Sequence, residues 1–118
     1  MNYYRLYIDT KSEEIYNLVS EILQTEPTIL DNRKVNGTKP SWCLAIDEKD
    51  EYIDYINLYL DLLEPKFSDL EKIGIDRNDI TIWRVYEYQQ QCSLEITPQE
   101  MRRLGNNNIT LCIDCFEI

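Results

Sequence analysis

The chain opens with alternating apolar and polar residues and then changes period. In "YYRLYID" (Tyr3 to Asp9), Tyr4, Leu6 and Ile8 fall on one face of a strand. Ile15, Leu18, Val19, Ile22 and Leu23 follow at i, i+3, i+4, i+7 and i+8, which predicts a helix with one buried stripe. Thr10 and Glu13 have the spacing of a capping box for its start, and Pro27 bounds its end. "PTILDNRKVNGTKP" is the one long irregular segment, after which "SWCLAID" alternates Trp42, Leu44 and Ile46 as a second strand. A helix opening near Asp50 turns Ile53, Ile56, Leu60 and Leu63 inward, with Tyr52, Tyr55 and Tyr59 alongside. Pro65 starts a further turn in which Phe67 and Leu70 extend the stripe and Gly74 supplies the stop.

"ITIWRVYEY" (Ile80 to Tyr88) reads as a third strand and "CSLEIT" (Cys92 to Thr97) as a fourth. The short "QQQ" between them predicts an antiparallel hairpin. Thr97 and Glu100 form a second capping box, with Pro98 at the first helical position. That helix runs to Leu104, ends at Gly105 and leads into a last strand, Ile109 to Glu117. The order β-α-β-α-β-β-α-β predicts one α+β domain over residues 1–118, a mostly antiparallel five-stranded sheet with its helices on one face. The opposite face then carries Tyr3, Arg5, Tyr7 and Asp9, with Cys43, Ala45, Asp47, Ser93, Glu95, Cys112, Asp114 and Phe116. Trp83 joins it if the third strand takes the matching register. Aromatics interleaved with charges suit a protein-binding face.

Charge narrows the function classes. Twelve basic residues stand against 22 acidic ones, a net charge of −10. Nucleic-acid binding needs cationic surface to displace phosphate counterions, so it is disfavoured; an acidic surface favours basic partners. Between Asp47 and Glu71 there are nine carboxylates and two lysines. On a helix with an apolar opposite stripe these form either a solvated face or a docking surface for a cationic protein. Their spacing does not match a calcium-binding loop, and there is no phosphate-binding glycine motif. Histidine is absent, which removes Ser-His-Asp and Cys-His catalysis and histidine metal ligation together.

Cys112 and Cys115 form a C-x-x-C pair inside an apolar strand pattern. Three positions apart in a strand, their side chains leave opposite faces, about 10 Å apart at the Cα atoms. Neither a disulfide nor a shared zinc fits that geometry. Cys43 and Cys92 are isolated, so the expectation is four reduced cysteines, no metal and no cofactor. No apolar run is long enough to span a bilayer, and "MNYYRLYIDT" lacks a basic segment followed by an apolar core. The expected location is cytoplasmic, without a membrane partner.

Several short motifs together resemble the bacterial domain-of-unknown-function family (DUF) 4279. They are "EPT" (Glu26 to Thr28), Gly37 in the following loop, and "SWCL" opening at Ser41 and Trp42. "LLEP" (Leu62 to Pro65), "LEITPQEMRRL" (Leu94 to Leu104) and "LCIDCF" (Leu111 to Phe116) complete the set. The resemblance carries over no catalytic residue and no activity. Small acidic proteins of this type occur beside toxin genes in bacterial competition loci, and that implies an immunity role. The resulting expectation is a non-enzymatic binding module that occludes the active surface of a basic toxin domain, in the first place a nuclease. Asp50, Glu51, Asp54 and Asp61 would steer the partner, with Tyr55, Tyr59 and Trp83 as anchors. The alternative is an accessory or regulatory binding domain without a toxin partner.

Overall fold

Tyr4, Leu6 and Ile8, the apolar half of the first strand, lie at the centre of the observed core, each fully buried. The computed structural model describes residues 2–28, 34–35, 39–48, 52–91 and 93–117, without the side chains of 34, 35 and 39. Strand β1 (Tyr3–Asp9) is followed by helix α1 (Glu13–Leu23), the two-residue strand β2 (Lys34–Val35) and strand β3 (Lys39–Asp47). Helix α2 (Tyr55–Leu63) runs through a 3-10 turn into α3 (Phe67–Lys72). Strand β4 (Ile80–Tyr88), helix α4 (Pro98–Asn106) and strand β5 (Thr110–Glu117) complete the chain.

The four long strands form a mixed sheet in the order β3-β1-β4-β5, and β2 extends it beyond β3. Strand β1 is antiparallel to both β3 and β4, whereas β4 and β5 are parallel. The α+β class matches the expectation; the mostly antiparallel five-stranded arrangement does not. Residues 93–97 are not a strand, so no hairpin forms there, and Cys92 lies outside the described residues. The chain instead leaves β4, passes through α4 and returns as β5. A connection of this length, with a helix in it, permits a parallel neighbour where a tight turn cannot.

Register explains which face is covered. Leu6 pairs with Leu44 on one side and Ile82 on the other, and Ile8 pairs with Trp42 and Ile80. These side chains project to one face and pack with Val19 and Leu23 of α1, Ile56, Leu60 and Leu63 of α2, Leu70 of α3 and Leu104 of α4. The opposite face holds Tyr3, Arg5, Tyr7, Trp83, Cys112 and Asp114 in neighbouring registers, which settles Trp83 on that side.

Two local expectations are corrected. The cap of α1 is Ser12, whose hydroxyl accepts from the Ile15 amide; Thr10 is buried and donates to the Pro40 carbonyl at 2.8 Å. With its hydroxyl held by Pro40 at the buried β1 exit, Thr10 leaves the cap to Ser12. Helix α2 begins at Tyr55 behind Asp54 rather than near Asp50. Gly74 does supply a stop, with φ of 91°, in the left-handed region glycine enters without a Cβ clash.

Candidate functional site

Strand β4 alternates Ile80, Ile82 and Arg84 toward the helices, so a cation arrives where an apolar residue would continue the pattern. Burying a guanidinium requires a partner. Arg84 Nη1 donates to Glu48 Oε2 at 2.8 Å, just past the end of β3. The guanidinium also lies 4.4 Å from the Tyr4 ring centroid and 5.1 Å from that of Tyr86. Tyr4 stacks on Tyr55 at 4.5 Å between centroids, and Tyr52 meets both rings edge-on at 6.4 Å. The α2 start therefore brings two tyrosines to the ion pair.

The opposite wall comes from the segment leading into α4. Thr97 and Glu100 make the expected capping box: the Thr97 hydroxyl accepts from the Glu100 amide, and Glu100 Oε1 accepts from the Thr97 amide at 3.0 Å. The cap holds the Glu100 carboxylate in a buried position facing the tyrosines. Between these walls lies a cavity of about 440 Å³, with Leu94, Ile96 and Ile113 as apolar lining and Glu95 as a further carboxylate. A second hollow of about 450 Å³ adjoins it along the α2–α4 seam, sharing Tyr52, Thr97 and Glu100 and reaching Asp54.

Burial raises the pKa of the Tyr52 phenol above its ordinary value, and the negative charge of Glu100 adds to the rise. Tyr55 is pushed up to about 12, first by burial and then by Tyr52. Tyr4 is also raised, chiefly by burial. These phenols stay neutral through the physiological range.

The residues expected to bind a partner are dispersed. Asp54 sits at the start of α2, where both its carboxylate oxygens accept from Asn57 Nδ2, and it lines the second hollow. Tyr55 lines the first cavity but is buried on its other side by Tyr4. Tyr59 is fully buried, with its hydroxyl donating to the Tyr4 and Leu44 carbonyls at 3.0 and 2.8 Å, so it ties α2 to the sheet. Asp61 accepts from Arg103 Nη2 at 2.6 Å, within a clamp in which the same guanidinium also meets Glu64 and Asn57. Trp83 lies across the sheet, edge-on to Tyr7 at 6.3 Å. Asp50 and Glu51 lie outside the described residues.

On that far side Arg5 stands over the Tyr3 ring at 4.2 Å and donates to the Tyr7 hydroxyl at 2.6 Å. Cys112 pairs in register with Trp83 and Cys115 with Tyr86, which places the two thiols on opposite faces. The site residues that the sequence did not mark as such are Glu48, Arg84, Tyr86 and Glu100. Arg84 carried a signal as a cation at an inward strand position, and Glu100 was legible only as a capping residue. No family model, no curated protein and no solved structure matches the chain, so the resemblance to the domain-of-unknown-function family rests on its short motifs.

Proposed function

We propose that the chain is a binding module for a cationic protein, of the immunity type, and that it acts by occluding a toxin domain. The observation that carries this reading is how the positive charge is distributed. Net charge is already −10, and four of the described arginines are engaged by the chain's own groups. Arg5 is held by Tyr3 and Tyr7, Arg77 by Glu71, Arg84 by Glu48, and Arg103 by Asp61 and Glu64. Exposed carboxylates also stand on α1, at Asp54 before α2 and on β5. An acidic surface of this kind attracts a basic partner and speeds encounter with it.

The partner-facing set is drawn from Asp54 and Asp61 on the α2 side and from Trp83, Tyr3 and Tyr7 on the uncovered sheet face. The test is co-expression with the product of the neighbouring gene, followed by a protection assay. Copurification is expected, with an association rate that falls steeply as salt rises. Reversal at Asp54→Lys with Asp61→Lys is expected to slow association by roughly tenfold at low salt. The reading fails if the neighbouring product does not copurify and the reversed variant protects as well as the parent.

A further inference from the structure

The cavity beside Arg84 has a charge balance that the fold does not need. Among the described residues, three carboxylates line it, Glu48, Glu95 and Glu100, against the guanidinium of Arg84. Glu48 and Arg84 satisfy each other at 2.8 Å. Glu100 serves as a capping acceptor, but accepting hydrogen bonds leaves its charge in place, and Glu95 is exposed at the wall. Among the described residues, Glu95 and Glu100 are thus left without a cationic partner, in a space walled by Tyr52, Tyr55 and Tyr86 and by the aliphatic surface of Leu94, Ile96 and Ile113.

We propose that this cavity binds an organic cation, a guanidinium or primary ammonium group carried on an aliphatic stem. Aromatic rings attract such a group through their electron-rich faces, and a partly desolvated setting strengthens that attraction. The surplus carboxylates supply the counter-charge, and the stem lies against Leu94, Ile96 and Ile113. The pKa of Tyr52 is raised first by burial and then by the charge of Glu100, which outweighs the opposing effect of Arg84. An anion is the poorer occupant: it would have to displace Glu48 from Arg84 and then face Glu95 and Glu100. The volume of about 440 Å³ admits a side-chain-sized ligand with its solvent.

This site is independent of the toxin reading, because its test uses the chain alone. Amide chemical shifts of the full chain would be followed while n-butylguanidinium, n-pentylammonium, neutral n-butylurea or pentanoate is added. Saturable shifts confined to amides around Tyr86, Ile96 and Ile113 are expected for the two cations. Binding of n-butylguanidinium should exceed that of n-butylurea by roughly fivefold or more. The Glu95→Gln, Glu100→Gln variant keeps the capping acceptor and should weaken the cations by a similar factor while leaving n-butylurea unchanged. Tyr52→Leu, at an exposed ring, should weaken the cations without disturbing the fold. Equal binding of n-butylurea, stronger binding of pentanoate, or no saturable shift at these amides would each overturn the proposal. A glycine-flanked arginine peptide separates the sources: binding at the same amides points to a protein side chain, and its failure beside a binding n-butylguanidinium points to a free small molecule.

Discussion

Arg84 shows how one residue can organise a region. Its side chain is 5% exposed, and the carboxylate that meets it, Glu48, is 19% exposed. The pair ties the end of β3 to β4 across the intervening β1, while the rings of Tyr4 and Tyr86 receive the flat guanidinium. Removing one partner of a buried pair costs more than the pair itself contributes, because the remaining charge stays desolvated. Glu48→Gln retains an acceptor and deletes the charge, so it is expected to lower unfolding free energy by roughly 2–4 kcal/mol. Adding Arg84→Met in that background should recover most of the loss, since a long apolar side chain can lie on the same tyrosines. Urea unfolding of the parent, the single variant and the double variant measures both steps. A double variant as unstable as the single one would mean that the ring contacts of Arg84 matter more than its charge.

At the scale of elements, the amphipathic pieces were legible and their pairing was not. The period-2 runs at Tyr3–Asp9 and Ile80–Tyr88 coincide with β1 and β4, because alternation follows directly from strand geometry. "LEIT" alternates just as well, yet Leu94 and Ile96 line the cavity from an irregular segment. Alternation records which side chains are buried; it does not record whether a neighbouring backbone is present to pair with. The parallel β4–β5 ladder depends on α4 crossing over, a long-range contact that no local spacing encodes. The site was half legible for the same reason. Asp54 and Tyr55 were found on the helix pattern, whereas Glu48, Tyr86 and Glu100 come to them from three other places in the chain.

Helix ends make a sharper test. Helix α1 terminates at Gln24, which adopts φ 52° and ψ 43°, with its amide bonding back to Glu21 and Ser20 carbonyls. That left-handed conformation crowds the Cβ of any L-residue and suits glycine. Gln24→Gly is therefore expected to raise unfolding free energy, by up to about 1 kcal/mol after the added freedom of the unfolded chain is set against the relief. Thermal and urea unfolding would check the sign. A loss of stability would show that the Gln24 side chain contributes more to the α1 exit than its backbone conformation costs.

The whole molecule is thin for its length, 44 by 33 by 23 Å, as a sheet with helices on one side requires. Its titration follows from what that core contains. Histidine is absent, so no side chain with an unperturbed pKa between about 5 and 8 is present, and stability is expected to be flat across that range. The alkaline side differs, because several phenols and the Cys43 thiol are buried. Burial pushes Cys43 up from 9.0 to about 11 and Tyr55 from 10.0 to about 12, and it raises Tyr59 further still. Each group binds its proton more tightly folded than unfolded. Its contribution is therefore complete below the unfolded pKa and is lost as pH rises through the folded one. Stability should begin to fall near pH 9, with each deprotonating group adding a slope of about 1.4 kcal/mol per pH unit until its folded pKa is passed. Cys43→Ala removes the part between 9 and about 11, and Tyr55→Phe the part between 10 and about 12. Urea midpoints recorded from pH 7 to 11 would show both, as a later onset in the first variant and a shallower fall in the second. A fall that neither substitution alters would assign the alkaline loss to repulsion among the 22 carboxylates and newly formed phenolates at large, rather than to buried groups.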